Sequence, residues 1–359
     1  MDDIKENPIR QEAEVPIQPQ LMGAEPNPPP GNEAAFVMKS YADNVYDYIK
    51  NQIKYDVISF ITQAYIKTGF PNLDDIIGYL YPGFYVLGAA SSVGKTTFLL
   101  QMAYQIILNL DSVLYISLEQ SKLELVSKIL SRITAVQCRM NISMAETAID
   151  IRSGNLFNSV TLDACAELLK NANLLTIIEG DFSVDMAKIE SIVDDYVATT
   201  GRVPVVMLDY LQIVQGKGFA TDKGRIDHIT KSLKILQRKY DAVVIAISSI
   251  NRANYRLPLD FESFKESGSI EYSADSVWGL ELQIVTDQAF MNLKNVAQKR
   301  QQIAAAKAAI PRKVKLTCLK NRYGIASFEC GFLYYPQFDW FLPDPSYKVP
   351  VQPAMPRTI

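Results

Sequence analysis

The 359-residue sequence predicts an α/β fold, a mainly parallel sheet flanked by helices and organised around a phosphate-binding loop. Three observations carry that reading. First, the apolar stretch Phe84-Tyr85-Val86-Leu87 runs into Gly88-Ala-Ala-Ser-Ser-Val-Gly-Lys-Thr-Thr97. Phe98-Leu99-Leu100-Gln101-Met102-Ala103 follows, apolar at helical spacing. Strand, glycine-bearing turn, Lys-Thr and helix start are the layout of a phosphate loop. Second, short apolar runs recur at 112–117, 174–178, 203–208 and 242–248, with helical patterns between them. Such alternation marks parallel strands joined by crossover helices. Third, 48% hydrophobic and 21% charged residues are globular values, and the chain is long enough for a large core.

Taken in order, residues 1–32 are rich in Pro, Glu, Gln and Asn and are expected to form a disordered arm. Over 33–66, Phe36, Val37, Tyr41, Val45, Tyr48 and Ile49 recur at three and four, which predicts a linker helix region with one apolar face. The ATPase-type domain is expected over 67–342. A helix from Lys122 to about Ala135 follows the second strand, and 138–173 read as helical with a break at Gly154-Asn155. Ser183 can cap a helix to Thr199, whose stripe is Met186, Ile189, Ile192, Val193 and Val197. A loop over 216–225 precedes a helix over 226–240. Residues 286–312 are rich in helix formers and carry Lys294, Lys299, Arg300 and Lys307. A solvated helical insertion is the plainer reading, a nucleic-acid contact the sharper one. Strands at 313–319 and 326–330 around Lys320-Asn-Arg-Tyr-Gly324 predict a C-terminal β-hairpin. Residues 343–359 read as a loose proline-rich tail.

Charge and composition exclude several classes. A net charge of −3 and a pI of about 5.5 exclude a wholly basic nucleic-acid-binding domain, but leave room for a local basic channel. The scattered cysteines (Cys138, Cys165, Cys318, Cys330) form no CxxC pair and read as reduced core residues of a cytoplasmic protein. A single histidine, His228, argues against a His-based zinc site or a Ser-His-Asp triad. Neither a secretory leader nor an apolar run of transmembrane length is expected.

The chemistry at the loop follows from residue type. Small residues let several backbone N–H groups approach a triphosphate, and the helix that follows presents its positive dipole end. The residues placed around ATP are Ala89, Ala90, Ser91, Ser92, Val93, Gly94, Lys95, Thr96 and Thr97. Lys95 can reach the β- and γ-phosphates, and the Thr96 hydroxyl can take a Mg²⁺ position. Ala89 stands where the consensus has its first glycine. Asp209, at the end of an apolar strand, can hold Mg²⁺ or merely cap the next element. Glu119, after the 112–117 strand, can deprotonate an attacking water or simply favour a helix start.

Several motifs occur in a fixed order: Thr68-Gly-Phe, Pro82-Gly83, Ser92-Val-Gly-Lys-Thr-Thr-Phe98, Ser117-Leu-Glu119, Leu208-Asp-Tyr-Leu-Gln212, Ser248-Ser-Ile-Asn-Arg252, Glu266-Ser-Gly-Ser-Ile-Glu271 with Ala274-Asp275, and Lys320-Asn-Arg322. Together they resemble the C-terminal ATPase domain of DnaB-type replicative helicases, a branch of the RecA-like P-loop NTPase fold. The resemblance covers roughly residues 66–340. It implies a ring-shaped homohexamer with ATP sites at subunit interfaces and single-stranded DNA through the centre. It makes Glu119 the general base and Asp209 the second Mg²⁺ residue. Gln212 becomes the link from nucleotide to DNA loops. Lys320 and Arg322 become the pair that a neighbouring subunit inserts against the γ-phosphate. Arg252 falls in the γ-phosphate-sensing motif, and Lys217, Lys223 and Arg225 become candidate DNA contacts. A primase or a helicase loader is the implied partner, and the implied setting is the cytoplasm of a bacterium or of a phage-infected host. There are departures. Ser249 stands where the family has a longer glutamine, 286–312 exceeds the family pattern, and the arm with its 33–66 helix is expected in place of the usual helical N-terminal domain. Two other functions stay open: a RecA-like, DNA-stimulated ATPase that loads or assists without unwinding, and a nucleotide-binding assembly module with weak turnover.

Overall fold

The computed structural model describes residues 66–347, apart from 140, 155, 156, 217 and 266, together with 48–49, 53–55 and 57–58. The side chains of 252, 253 and 267 also lie outside the described set, as do the arm and most of the linker-helix region expected over 1–66. The chain divides into two units, Met1–Tyr55 and Asp56–Ile359. In the first, the described residues 48–49 and 53–55 are helical and exposed.

The second unit is built on one sheet. Its strands are β1 (Gly83–Ala89), β2 (Val113–Ser117), β3 (Leu175–Glu179), β4 (Val205–Asp209), β5 (Val243–Ser249), β6 (Ser276–Leu282), β7 (Arg312–Asn321), β8 (Phe328–Tyr335) and β9 (Trp340–Pro343). The spatial order is β3-β2-β4-β5-β1-β6-β7-β8-β9. From β3 to β6 every pairing is parallel, and from β6 to β9 every pairing is antiparallel. Ala89 pairs with Ser249 and Leu280, and Ser117 with Asp209. The phosphate loop, Glu119, Asp209 and Ser249 therefore leave the sheet at one edge, where parallel sheets bind ligands.

The helices are α1 (Pro71–Ile77), α2 (Lys95–Leu108), α3 (Lys122–Gln137), α4 (Ala148–Arg152), α5 (Ser159–Leu169), α6 (Met186–Thr200), α7 (Asp222–Tyr240), α8 (Ser267–Ser273), α9 (Gln288–Met291) and α10 (Val296–Ala308). Alternation along the central strands divides the core into two layers. Tyr85 and Leu87 pack with Leu99 and Met102 of α2 and with Leu125, Ile129 and Ile133 of α3. Phe84 and Val86 pack with Ile189 and Val193 of α6 and with Ile229, Leu233 and Leu236 of α7.

The structure corrects several sequence expectations. Helix α6 begins at Met186, not Ser183: Asp185 accepts the Lys188 N–H, while the Ser183 hydroxyl turns to Asp181. Helix α7 starts at Asp222 because the Thr221 hydroxyl accepts the Gly224 N–H, so Lys223 and Arg225 lie in its first turn instead of a loop. The hairpin is a three-stranded extension. Strand β9, only Trp340–Pro343, is short enough to read as tail, yet Phe341 is buried. Residues 343–347 are packed as well: the Tyr347 ring lies where a Cβ on Gly331 would fall, and its hydroxyl donates to Glu329 at 2.6 Å. The 286–312 segment is helical as expected but does not stand apart, because Ile303 and Ala306 pack against the core.

Phe98 ties α2 to both the chain's entry and its antiparallel end. It stacks on Phe70 at 4.4 Å and meets Phe332 and Phe341 edge-on at 5.3 Å each. Phe98→Ala should destabilise the unit by about 3–5 kcal/mol in urea unfolding; a loss below about 1 kcal/mol would show that this cluster does not hold α2.

Candidate nucleotide-binding and catalytic site

Strand β1 ends in the buried Ala89, whose backbone is ordinary strand paired on both sides. A glycine's freedom is not required there, which is why alanine fits. It is required at Gly94, where φ is +105° and an added Cβ would sit 2.8 Å from the Phe341 ring and 3.0 Å from Tyr334. Helix α2 starts at Lys95 with no side-chain cap on its first N–H groups, which leaves them to an anion.

A cleft of about 410 Å³ opens above the loop. Ser91, Ser92, Gly94, Lys95, Thr96 and Glu119 line it. Burial lowers the proton affinity of the Lys95 ammonium, and the charges of Asp209 and Glu119 oppose that. Burial raises the Asp209 carboxyl, against hydrogen bonds from the Thr96 and Tyr115 hydroxyls. The Tyr115 hydroxyl donates to Asp209 Oδ2 at 3.1 Å. Asp209 Oδ1 is buried with no hydrogen-bond partner. A desolvated carboxylate oxygen left open beside a threonine hydroxyl suits a hard divalent cation, so Thr96 and Asp209 fit Mg²⁺. Thr97 is turned away: its hydroxyl donates to Asp339 at 2.8 Å, and Lys128 reaches the same oxygen at 2.7 Å. It holds the β8–β9 segment instead of phosphate.

Gln212 joins the exits of β4 and β5. Its Nε2 donates to Ser248 Oγ at 2.9 Å, and its Oε1 accepts the Ser249 N–H at 3.0 Å. The short Ser249 side chain thus leaves Gln212 bridging the two strands. Arg225 is turned inward. Its Nη1 donates to the carbonyls of Gln212 and Val214 at 3.0 and 2.6 Å, so it shapes the loop after β4. Lys223 is exposed, Lys217 lies outside the described residues, and Arg252 contributes only described backbone, in the turn Arg252–Arg256.

Lys320 and Arg322 are not brought to this cleft. Their strand β7 runs antiparallel to β6, with Asn321 opposite Ser276 and Lys320 opposite Val277. Arg322 Nη1 donates to Asp275 Oδ1 at 3.0 Å, and Lys320 donates to the Glu271 carbonyl. Asp275 also accepts the Phe84 N–H at 2.8 Å, which places it where β1 enters the sheet. Burial would raise the Asp275 carboxyl, but Lys234, the Phe84 N–H and Arg322 together hold it below the usual range. From Phe84 to Ala89 the strand advances about 17 Å, so the two cations lie at the far edge from their own phosphate loop.

Residues 65–337 match the family described as the DnaB-like helicase C terminal domain. The chain belongs to that family. A probable replicative DNA helicase of Trieres chinensis is 26% identical over 255 residues, covering 64% of this chain and 53% of the relative. The replicative DNA helicase DnaB of Geobacillus stearothermophilus is 30% identical over 224 residues, covering 59% and 46%. The chain thus spans about half the length of these curated relatives. Among solved structures, an isolated ATPase domain superposes with a TM-score of 0.64 at 20% identity, over 84% of this chain and all of that one. A DnaB-like replicative helicase, studied with its interactions with primase, gives 0.63 at 20% identity, over 83% of this chain and 66% of that one. The RecA-like fold expected from the motifs is the one observed.

Within this DnaB-like domain, sequence reasoning missed a second wall of the cleft. Arg312 and Tyr334 face each other across the β7–β8 pairing. The guanidinium lies 5.6 Å from the Tyr334 ring centroid, and both residues line the phosphate cleft. Tyr334 is backed by Phe341, stacked at 4.1 Å. An aromatic face and a guanidinium plane suit a nucleobase. Only the register of two distant strands unites them, so local sequence carries no signal.

The raised Asp209 carboxyl has a testable consequence. Its folded-state proton affinity exceeds the ordinary one, so above both pKa values the ionised form costs stability when no cation is bound. Asp209→Asn should leave the ligand-free protein as stable or up to about 1 kcal/mol more stable, yet weaken the stabilisation given by Mg²⁺ and nucleotide together. Thermal unfolding with and without Mg²⁺ and nucleotide checks this; marked destabilisation of the free variant would contradict it.

Proposed function

We propose that the chain is the motor of a DnaB-type DNA helicase, hydrolysing ATP between subunits of a ring, most simply a hexamer, that moves along single-stranded DNA. The observation that supports this most is the division of one catalytic set between opposite sheet edges. Lys95, Thr96, Glu119 and Asp209 stand at one edge, and Lys320 and Arg322 at the other. A head-to-tail ring joins those edges between neighbours.

In this reading Ser91 to Thr96 and the start of α2 bind the phosphates, and Lys95 neutralises the β- and γ-phosphates. Mg²⁺, held by Thr96 and Asp209, supplies charge neutralisation on the phosphate oxygens when bound. Glu119 orients the attacking water and takes its proton. The neighbour's Arg322 and Lys320 stabilise charge as the γ-phosphoryl group leaves, a task for which the planar guanidinium is well suited. Arg322, half-exposed on Asp275, can exchange that partner for a phosphate without crossing the protein. The base rests against Tyr334 and Arg312. Gln212 transmits nucleotide state from β4 to β5, with Arg252 in the adjoining turn. DNA contacts fall to Lys217 and the exposed Lys223 beside the loop that Arg225 holds, and would be insensitive to sequence and sensitive to salt. A primase or loader is the fitting partner, and a cytoplasmic setting accords with the family. No described helix is long and apolar enough to cross a membrane.

Lys95→Ala should lower ATP turnover at least ~100-fold while leaving the fold intact; near-normal turnover would sink the site assignment. Arg322→Ala and Glu119→Gln subunits, each inactive alone, should regain part of the DNA-stimulated ATPase when mixed, since one site in each mixed pair is complete. Mixed oligomers verified by mass that stay inactive would count against a shared site. Strand displacement on a forked duplex separates a helicase from an ATPase that only translocates or loads.

A further inference from the structure

Two cations hold the phosphate loop from outside, and both come from the segment that exceeds the family pattern or its border. Lys307 Nζ, near the end of α10, donates to the Ser91 carbonyl at 2.9 Å. Arg312 Nη1, at the start of β7, donates to the Ser92 carbonyl at 3.0 Å. In a planar trans peptide the C=O and the next N–H point opposite ways. Binding the Ser91 carbonyl to Lys307 therefore turns the Ser92 N–H away from α10. Among the described residues no hydrogen bond takes that N–H. Ser92 also holds φ of +67°, a left-handed conformation that a non-glycine residue keeps only when its surroundings impose it.

The helix that delivers Lys307 is itself anchored. Arg300, Ile303, Ala304 and Lys307 follow i, i+3, i+4, i+7 spacing and line one cavity of about 410 Å³ with Ala90 and Val93 of the loop. Ile303 packs against the core one turn before Lys307. Asn295 caps the other end by accepting the Ala297 N–H at 2.8 Å. After burial and the opposing carboxylates, the Lys307 charge is among the influences on the Lys95 ammonium, so the two cations share one field.

We propose that Lys307 is a positioning residue for nucleotide binding: it fixes the Ser91–Ser92 peptide with its N–H presented to the phosphates, and so makes the 286–312 insertion part of the nucleotide site of its own subunit. The inference rests on the ATP-site reading above. It corrects the expectation of a merely solvated helix. One N–H directed at a phosphate contributes a charge-assisted hydrogen bond, so its loss should be measurable in binding.

The test uses the full chain, with fluorescent N-methylanthraniloyl ADP and a non-hydrolysable ATP counterpart as probes. Lys307→Met keeps the apolar stem and removes the ammonium, and Lys307→Gln removes it with a different side chain should the first variant fold poorly. Both should weaken ADP and ATP-analogue binding by the same factor, about tenfold. KM for ATP should rise more than kcat falls. Lys307→Arg should return binding to within about twofold of the parent, and Arg300→Met, on the same face of α10, should leave it unchanged. Unchanged binding in both Lys307 variants would overturn the inference, as would an equal loss in Arg300→Met. A loss confined to the ATP analogue would overturn it too, since it would mean direct contact with the γ-phosphate. Lys95→Ala in the same titration keeps the two readings apart. If it loses nucleotide while Lys307→Met does not, the phosphate site stands and the role of Lys307 falls.

Discussion

Strand direction is the constraint on which the other features depend. Parallel pairing from β3 to β6 sends Ala89, Ser117, Asp209 and Ser249 out of the sheet at one edge, so four separate stretches of chain meet around one loop. The change to antiparallel pairing at β6–β7 then carries Lys320 and Arg322 back to the opposite edge. A single subunit is thereby given both halves of a phosphoryl-transfer site and kept from joining them. Arg322 meanwhile rests on Asp275, which also accepts from Lys234 and from the backbone where β1 begins. That ion network holds the finger near the surface at little desolvation cost, because Arg322 stays half-exposed while its partner is buried.

The phosphate loop is a costly piece of backbone, and its supports are tertiary. Gly94 and Ser92 both have positive φ, Lys95 is partly desolvated, and Asp209 keeps a buried oxygen without a partner. Opposing these are contacts from the far end of the chain. Tyr334 and Phe341 close over Gly94, Gln101 exchanges two hydrogen bonds with the Phe341 backbone, and Thr97 and Lys128 share Asp339. The antiparallel extension therefore acts as a brace for the nucleotide edge as well as a carrier for the finger. Strain concentrated at a binding loop and offset elsewhere is a common arrangement in functional sites.

How much of this was legible in sequence follows from how local each signal is. The phosphate loop, Glu119 and Asp209 could be read because each lies within a few residues of the strand end that defines it. Asp275 appeared only as part of a motif, and its role as the rest for Arg322 depends on a pairing 47 residues away. Lys307, Arg312, Tyr334 and Asp339 act on residues more than 200 positions distant, and nothing in a local window marks them. Cap competition explains the boundary errors: both Ser183 and Asp185 can start a helix, and only the Asp181 carboxylate beside Ser183 decides between them. The inward turn of Arg225 was invisible for a similar reason, since an arginine beside a glycine-rich loop looks free until the carbonyls of Gln212 and Val214 are seen to hold it.

The central claim is that the ATP site is complete only between subunits. Particle images of the full chain with a non-hydrolysable ATP analogue, Mg²⁺ and single-stranded DNA test it most directly. The account predicts a closed ring in which Arg322 has left Asp275 and lies within salt-bridge reach of the neighbour's γ-phosphate. Particles that bind the analogue fully as monomers, or rings in which Arg322 stays on Asp275 and the cleft is closed by its own chain, would contradict it.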